Sequence, residues 1–291
     1  MLATLRLIAR IPLRQLHAIG AFLGWLVYGL SPGYRSRLKE NLFASGIGAD
    51  AAARRSLLNR SIAEAGKGAT EIIAVWFGSE ATVSGLVTCD DWTMVEQAQR
   101  AGRGIIFLTP HLGCFEISAL YGAQRLPITV LYRPPRLRWL EPLMAAGRQR
   151  WHATLAPANL RGVRLLYRAL QRRESVGLLP DQAPGVGEGV WASFFGRPAY
   201  TMTLAHRLQG ATGAAVIMAF AERLPAGHGF RLHLMPLKPE DLEATALNAA
   251  VEQLVRRCPA QYLWSYNRYK VPAGAEEPRM KDEGGSSERP R

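Results

Sequence analysis

Apolar positions along the chain gather into short runs of strand length, separated by stretches in which apolar residues recur at helical spacing. Runs at 87–89, 104–108, 127–132, 175–180, 214–221 and 230–237 predict strands. The last two are joined through Pro225, Gly227 and Gly229, residues suited to a turn. Helical patterns at 50–77, 92–101, 116–124, 200–209 and 241–257 fall between or beside these runs. In the first of them Leu57, Ile62, Ile72, Ile73 and Val75 are core candidates, whereas Glu64, Lys67 and Glu71 are expected on the wet face. Strands alternating with helices predict a single α/β domain, a mixed β-sheet flanked by helices.

Residues 1–40 break this alternation. Arg6, Arg10 and Arg14 recur at helical spacing, and 15–34 carries no formal charge apart from the titratable His17. The apolar run 16–30 includes Trp25 and Tyr28, which suit a membrane interface. Residues 1–34 are therefore expected to form an N-terminal membrane-anchoring helix. A span needs about 20 predominantly apolar residues, so a tilted span, an interfacial helix, a cleaved signal peptide and a helix packed on the soluble domain all stay open. Arg35, Arg37 and Lys39 make the second flank positive as well, so the positive-inside rule sets no orientation. At the other end, 272–291 is Gly, Pro, Ser and charge and is expected to be disordered. The domain proper is expected at 35–271.

A chain of 291 residues can bury one sizeable core. A hydrophobic fraction of 48% with a mean hydropathy of -0.04 describes a globular protein, not a multi-span one. The formal charge of +13, carried by 36 basic residues that are mostly arginine, implies an anionic partner. Nucleic acid, an acidic membrane surface, a phosphorylated lipid and an acidic carrier protein all fit that charge. Nine arginines lie between 136 and 173 against Glu141 as the only acid, and Arg161, Arg164 and Arg168 fall near one helix face.

Several chemistries are excluded by pattern. Cys89, Cys114 and Cys258 are odd in number and widely spaced, which gives neither a disulfide framework nor a CxxC metal site. His228 and His233 sit on a turn and a strand and share no helix face, so no metal is expected. The loop 185–189 is too irregular for a dinucleotide fingerprint and no phosphate-binding P-loop occurs, so no cofactor is expected and this loop is read as a mobile substrate loop. No G-x-S-x-G elbow is present. Neither aromatic-interleaved basic motifs nor a helix-turn-helix pattern appears, which argues against nucleic acid.

Candidate chemistry concentrates in Thr109-Pro110-His111-Leu112-Gly113-Cys114-Phe115-Glu116. An apolar run stops at a proline, a histidine follows in the loop, and a glutamate comes five residues later as a helical pattern begins. Five residues on one ideal helix would rotate the two side chains about 140° apart. They can converge only if His111 stays in the loop and Glu116 occupies the first helical turn, where the helix dipole favours a carboxylate. Such a carboxylate can fix one imidazole nitrogen and leave the other basic toward a hydroxyl. The alternative is a surface histidine beside an N-terminal-turn glutamate. Cys114 reads either as a nucleophile or as a small residue packing the helix start.

The stretch 110–116 resembles the H-x-x-x-x-D/E motif of glycerolipid acyltransferases, in the form used by bacterial lipid A late acyltransferases, the lauroyl/myristoyl transferase family. Further blocks agree in that family's order: Tyr132-Arg133-Pro134, Leu179-Pro180-Asp181-Gln182, Phe194-Phe195-Gly196, and Gln261-Tyr262-Leu263-Trp264 closing with Arg268-Tyr269-Lys270. The likeness covers about 15–271. It implies a glycerolipid-acyltransferase-like domain that moves a fatty acyl group from an acyl carrier protein thioester to a hydroxyl of the phosphorylated, Kdo-bearing lipid A precursor. The implied location is the bacterial inner membrane, with the domain facing the cytoplasm. His111 is then the base and Glu116 its orienting partner, without an acyl-enzyme. Arg133, Arg148, Asp181 and Gln182 are implied to bind substrate. Phe194 and Phe195 read either as walls of an apolar tunnel or as core. Oxyanion donors would be backbone N–H groups near Leu112 and Gly113 or an arginine such as Arg148. The alternatives are acylation of another membrane lipid (an ornithine lipid, a lysophospholipid or a phosphatidylinositol mannoside) and a non-catalytic basic membrane-binding protein.

Overall fold

The computed structural model of the chain describes residues 2–135 and 137–276, so most of the tail expected at 272–291 lies outside the described residues. Four helices come first: α1 (Leu2–Ile8), α2 (Leu13–Leu30), α3 (Pro32–Ala44) and α4 (Ala51–Phe77). There follow α5 (Glu80–Gly85), β1 (Val87–Thr88), α6 (Thr93–Arg100), β2 (Ile105–Leu108), α7 (Phe115–Ala123), β3 (Ile128–Tyr132), α8 (Glu141–Arg148) and β4 (Ala153–Pro157). The second half holds α9 (Leu160–Gln171), β5 (Ser175–Leu178), β6 (Gly189–Phe194), β7 (Arg197–Met202), α10 (Leu204–Thr212), β8 (Ala215–Arg223), β9 (Phe230–Leu237) and α11 (Ala244–Arg257).

Among the described residues seven strands form one mixed sheet in the order β1-β9-β8-β2-β5-β3-β4, and β6 and β7 form a separate hairpin. This is the mixed α/β domain that the alternation predicts. The central strands β2 and β5 are buried at every position and apolar apart from Ser175, because helices cover both faces of a mostly parallel sheet. Ile106, Leu108, Val176 and Leu178 point into one core with Leu166, Leu208 and Leu254. Ile105, Phe107, Ile217 and Ala219 point into the other, beneath Ile117 and Leu120 of α7. Leu108 is level with Leu178 and Met218, so the parallel strands β2 and β5 end together, while β8 runs on to Arg223.

Two local readings change. The 200–209 stretch is not one helix: Tyr200, Thr201 and Met202 complete β7, and α10 starts at Leu204. The cause is a two-residue hairpin turn at Phe195 and Gly196, both with positive φ (47° and 72°), which returns the chain as an antiparallel strand. Glu71 is not on a wet face; it is 1% exposed, because α2 lies across that side of α4. Gly20 and Gly24 of α2 meet Gly66 of α4 at this crossing, where any side chain would run into the opposite backbone. Phe194 and Phe195 belong to the core with Trp264, on the face away from α7.

Within the crossing lies a buried ionic network. His17 Nε2 is 2.9 Å from Glu71 Oε2, Arg223 grips both Glu71 oxygens, and Arg223 Nη1 donates to Glu64 Oε2 at 2.7 Å. Burial alone would raise the Glu71 carboxyl, but the charge and hydrogen bonds of Arg223, with His17, lower it to about 2. The other side of α2 is apolar and faces outward: Phe22 is 68% and Leu30 75% exposed, with Ile19, Leu23 and Leu26 along the same stripe. Among the described residues no helix is long and apolar enough to cross a membrane.

Candidate active site

The register of the sheet builds the site. His111 stands three residues past Leu108 at the end of β2, and Asp181 stands three past Leu178 at the end of the neighbouring β5. Thr109 N donates to Leu178 O at 2.9 Å, which carries the pairing one step further. The two side chains therefore meet: His111 Nδ1 is 3.0 Å from Asp181 Oδ1, and the His111 backbone N–H donates to Asp181 Oδ2 at 3.0 Å. Tyr266 stacks on the imidazole at 4.8 Å and Phe115 meets it edge-on at 5.1 Å. The ring is held on three sides, and Nε2 is the nitrogen left for a ligand.

Asp181 is wholly buried. Burial by itself would raise its carboxyl; the charge and hydrogen bonds of His111, with help from Arg268, hold it below the ordinary carboxylate range. Arg268 is itself buried, donating to Tyr200 O, Thr201 Oγ1 and Asn248 Oδ1.

The loop after His111 is fastened by the chain's last block. Leu263 N donates to His111 O at 2.9 Å, Leu112 bridges Tyr262, and Gly113 N donates to Gln261 O at 3.1 Å. Gly113 has φ +61° and lies so close to Ala221 O that a Cβ would collide with it, so only glycine fits. Leu112 N is taken by Pro110 O and Cys114 N by Ala221 O. The backbone donors expected for an oxyanion at Leu112 and Gly113 are thus already spent within the protein. Cys114 is buried, and burial together with the negative Glu71 pushes its thiol well above the ordinary value. It packs the start of α7 as part of the core.

Glu116 takes a different partner from the one its spacing suggests. Arg148 grips it with two nitrogens, Nε donating to Oε2 at 2.9 Å and Nη2 to Oε1, and Trp76 Nε1 donates to Oε2 at 3.0 Å. Among the described residues no hydrogen bond joins Glu116 to His111. The expected His–Glu pair is replaced by two pairs, His111 with Asp181 and Glu116 with Arg148. Glu116 begins α7 facing α8, whose Gly147 lets the helix lie against the Trp76 ring.

One cavity of about 210 Å³ joins these parts. His111, Glu116, Arg133, Arg148 and Gln182 line it, and Asp181 does not. Asp181, expected among the substrate contacts, instead lies beneath His111. Arg133 is exposed at the end of β3, where that edge of the sheet opens to solvent. The interior is apolar, walled by Phe107 and Ala219 of the sheet and Leu232 and Leu234 of β9. Phe194 and Phe195 are not among its walls.

A family model described as bacterial lipid A biosynthesis acyltransferase matches residues 1–271. The chain is similar to the lipid A biosynthesis lauroyltransferase of Escherichia coli (strain K12), at 25% identity over 283 residues, 93% of this chain and 90% of that protein. It is 26% identical over 225 residues to the lipid A biosynthesis palmitoleoyltransferase of the same organism, covering 75% and 72%. A lipid A biosynthesis acyltransferase of Haemophilus influenzae is 25% identical over 291 residues, covering 95% and 91%.

Proposed function

Because the chain belongs to the bacterial lipid A biosynthesis acyltransferase family, and so is an acyltransferase, we propose that it moves a lauroyl- or myristoyl-class chain from an acyl carrier protein thioester to a hydroxyl of the Kdo-bearing lipid A precursor. The observation that carries this reading is the His111–Asp181 pair, whose imidazole lines an apolar cavity. Asp181 fixes Nδ1–H, and Nε2 takes the proton of the acceptor hydroxyl as its oxygen attacks the thioester carbonyl. The carbonyl becomes a tetrahedral oxyanion. Arg148 lines the cavity, and its Nη1 is not engaged by Glu116, so it is the donor for that charge. Collapse breaks the carbon–sulfur bond, and the leaving thiolate recovers the proton from Nε2. Glu116 is then a positioning residue for Arg148, and Arg133 at the mouth meets an acceptor phosphate.

The donor's acidic surface has a match in α9. Arg161, Arg164 and Arg168 are exposed along it, and none pairs with an acid among the described residues. The reading is tested with purified protein, lauroyl- or myristoyl-carrier protein and the Kdo-bearing precursor, with an ornithine lipid and a lysophospholipid as rival acceptors. Product with the Kdo-bearing lipid is expected. Product with a rival alone moves the acceptor, and no product with any of them sinks the reading.

We further propose that the protein works at the inner membrane, seated by the outward stripe of α2 as an interfacial helix. Arg14 at the start of α2 packs against Gly227 in the turn after β8, at the sheet edge that carries His111. Replacing Phe22 and Leu26 together with serine is expected to lower partition onto phosphatidylglycerol-containing vesicles by about tenfold or more, each side chain losing part of its apolar burial. Unchanged sedimentation with the vesicles would remove α2 from this role.

A further inference from the structure

Gly122 is a glycine without a local reason. It lies near the end of α7 with an ordinary negative φ, where alanine would make a more stable helix. It is buried, yet a Cβ built on it would meet no atom within 4 Å. Other glycines of the helices answer to crowding, as Gly20, Gly24, Gly66 and Gly147 do, or else face solvent, as Gly29, Gly33, Gly85 and Gly210 do. The empty space beside Gly122 is the cavity, which it lines.

The cavity follows one face of α7. Phe115, Ser118, Ala119 and Gly122 recur at helical spacing and all line it. Phe115 touches the His111 ring, and Gly122 is about 10 Å further along the helix axis. Ile128 and Ala153, which also line the cavity, are paired first residues of β3 and β4, at the sheet edge opposite His111. His152 N donates to Ala123 O at 3.1 Å, which brings the start of β4 against this end of α7. Gly122 therefore stands at the end of the cavity away from His111, where Leu120, Ile128 and Ala153 line it and Ser118 lies one turn back on the same helix face.

We propose that Gly122 sets the length of acyl chain that the cavity accepts, the missing side chain leaving room for the terminal carbons. This rests on the acyl-transfer reading above. A side chain at 122 would fill the end without disturbing the His111–Asp181 pair or the Glu116–Arg148 pair.

The test sets wild type beside Gly122→Ala and Gly122→Leu, with decanoyl-, lauroyl-, myristoyl- and palmitoyl-carrier protein in competition. Gly122→Leu is expected to shift the ratio of long to short chains transferred by about tenfold or more toward the short donors. Gly122→Ala should move it less, in the same direction, with thermal stability equal to or above wild type. An unchanged ratio in both folded variants overturns the proposal. If wild type transfers no chain to any acceptor, the acyl-transfer reading fails, and binding of free decanoate and myristate decides this one separately. Selective loss of myristate in Gly122→Leu upholds the gauge, and equal affinities in all three proteins overturn it.

Discussion

Replacement of His111 by alanine is expected to lower acyl transfer by about a hundred- to ten-thousandfold while the protein stays folded, the range that a positioned general base supplies. Asp181→Asn is expected to fall within the same range. Asparagine can still accept from Nδ1–H, but it takes away the negative charge facing the imidazole and the second oxygen that receives the His111 backbone N–H. Both substitutions act on one proton transfer, so their effects should not add. In a His111→Ala background Asp181→Asn should cost little more, whereas Glu116→Gln should retain most of its own penalty through Arg148. Rates of the single and double variants, measured on proteins with matched unfolding curves, decide between the partners. If Glu116→Gln is the change that becomes silent without His111, while Asp181→Asn remains fully additive, then the glutamate orients the base after all.

The contest between two carboxylates shows what a linear reading can reach. The apolar runs predict β1, β2, β3, β5, β8 and β9, because strands buried on one or both faces of a sheet leave such a pattern. The stretch around His111 stood out because a proline ends a strand just before a histidine. The carboxylate bonded to it in the structure is hidden by distance along the chain, not by lack of signal. Leu108-Thr109-Pro110-His111 and Leu178-Leu179-Pro180-Asp181 have the same form, a strand end, one residue, a proline and then a polar group. Had β2 and β5 been known neighbours, that match would have placed His111 beside Asp181. Glu71 was misread for a related reason. On α4 it continues a polar stripe, and only the glycine-mediated approach of α2 turns that stripe inward. Strand β4 and helix α8 left no apolar pattern to read, because β4 is an edge strand of mixed burial and only Gly147 of α8 is buried. Arg148, named through family resemblance, lines the cavity and bonds Glu116.

Arg223→Met is expected to destabilise the fold by about 3–5 kcal/mol, because it leaves Glu71 charged and buried with only His17 beside it. Adding Glu71→Gln should recover part of that loss by removing the stranded charge, and urea unfolding midpoints of the single and double variants measure both steps. The acid dependence gives a second handle. Glu71 is lowered from 4.5 to about 2 in the folded state, so its contribution is complete above pH 4.5 and is lost as the pH falls toward 2. In Arg223→Met that acid-labile part should shrink. Equal stability of wild type and Arg223→Met would mean that the network contributes no net energy. The consequence reaches the site, since the Arg223 backbone is held on both sides by the Gln261 side chain, and Gln261 O receives the Gly113 N–H beside His111. His17, Glu71, Arg223 and Gln261 therefore link α2 to the His111 loop through buried and half-buried contacts. Loosening that link is expected to reduce acyl transfer in Arg223→Met even at temperatures where the protein remains folded, and the double variant should recover activity in step with stability.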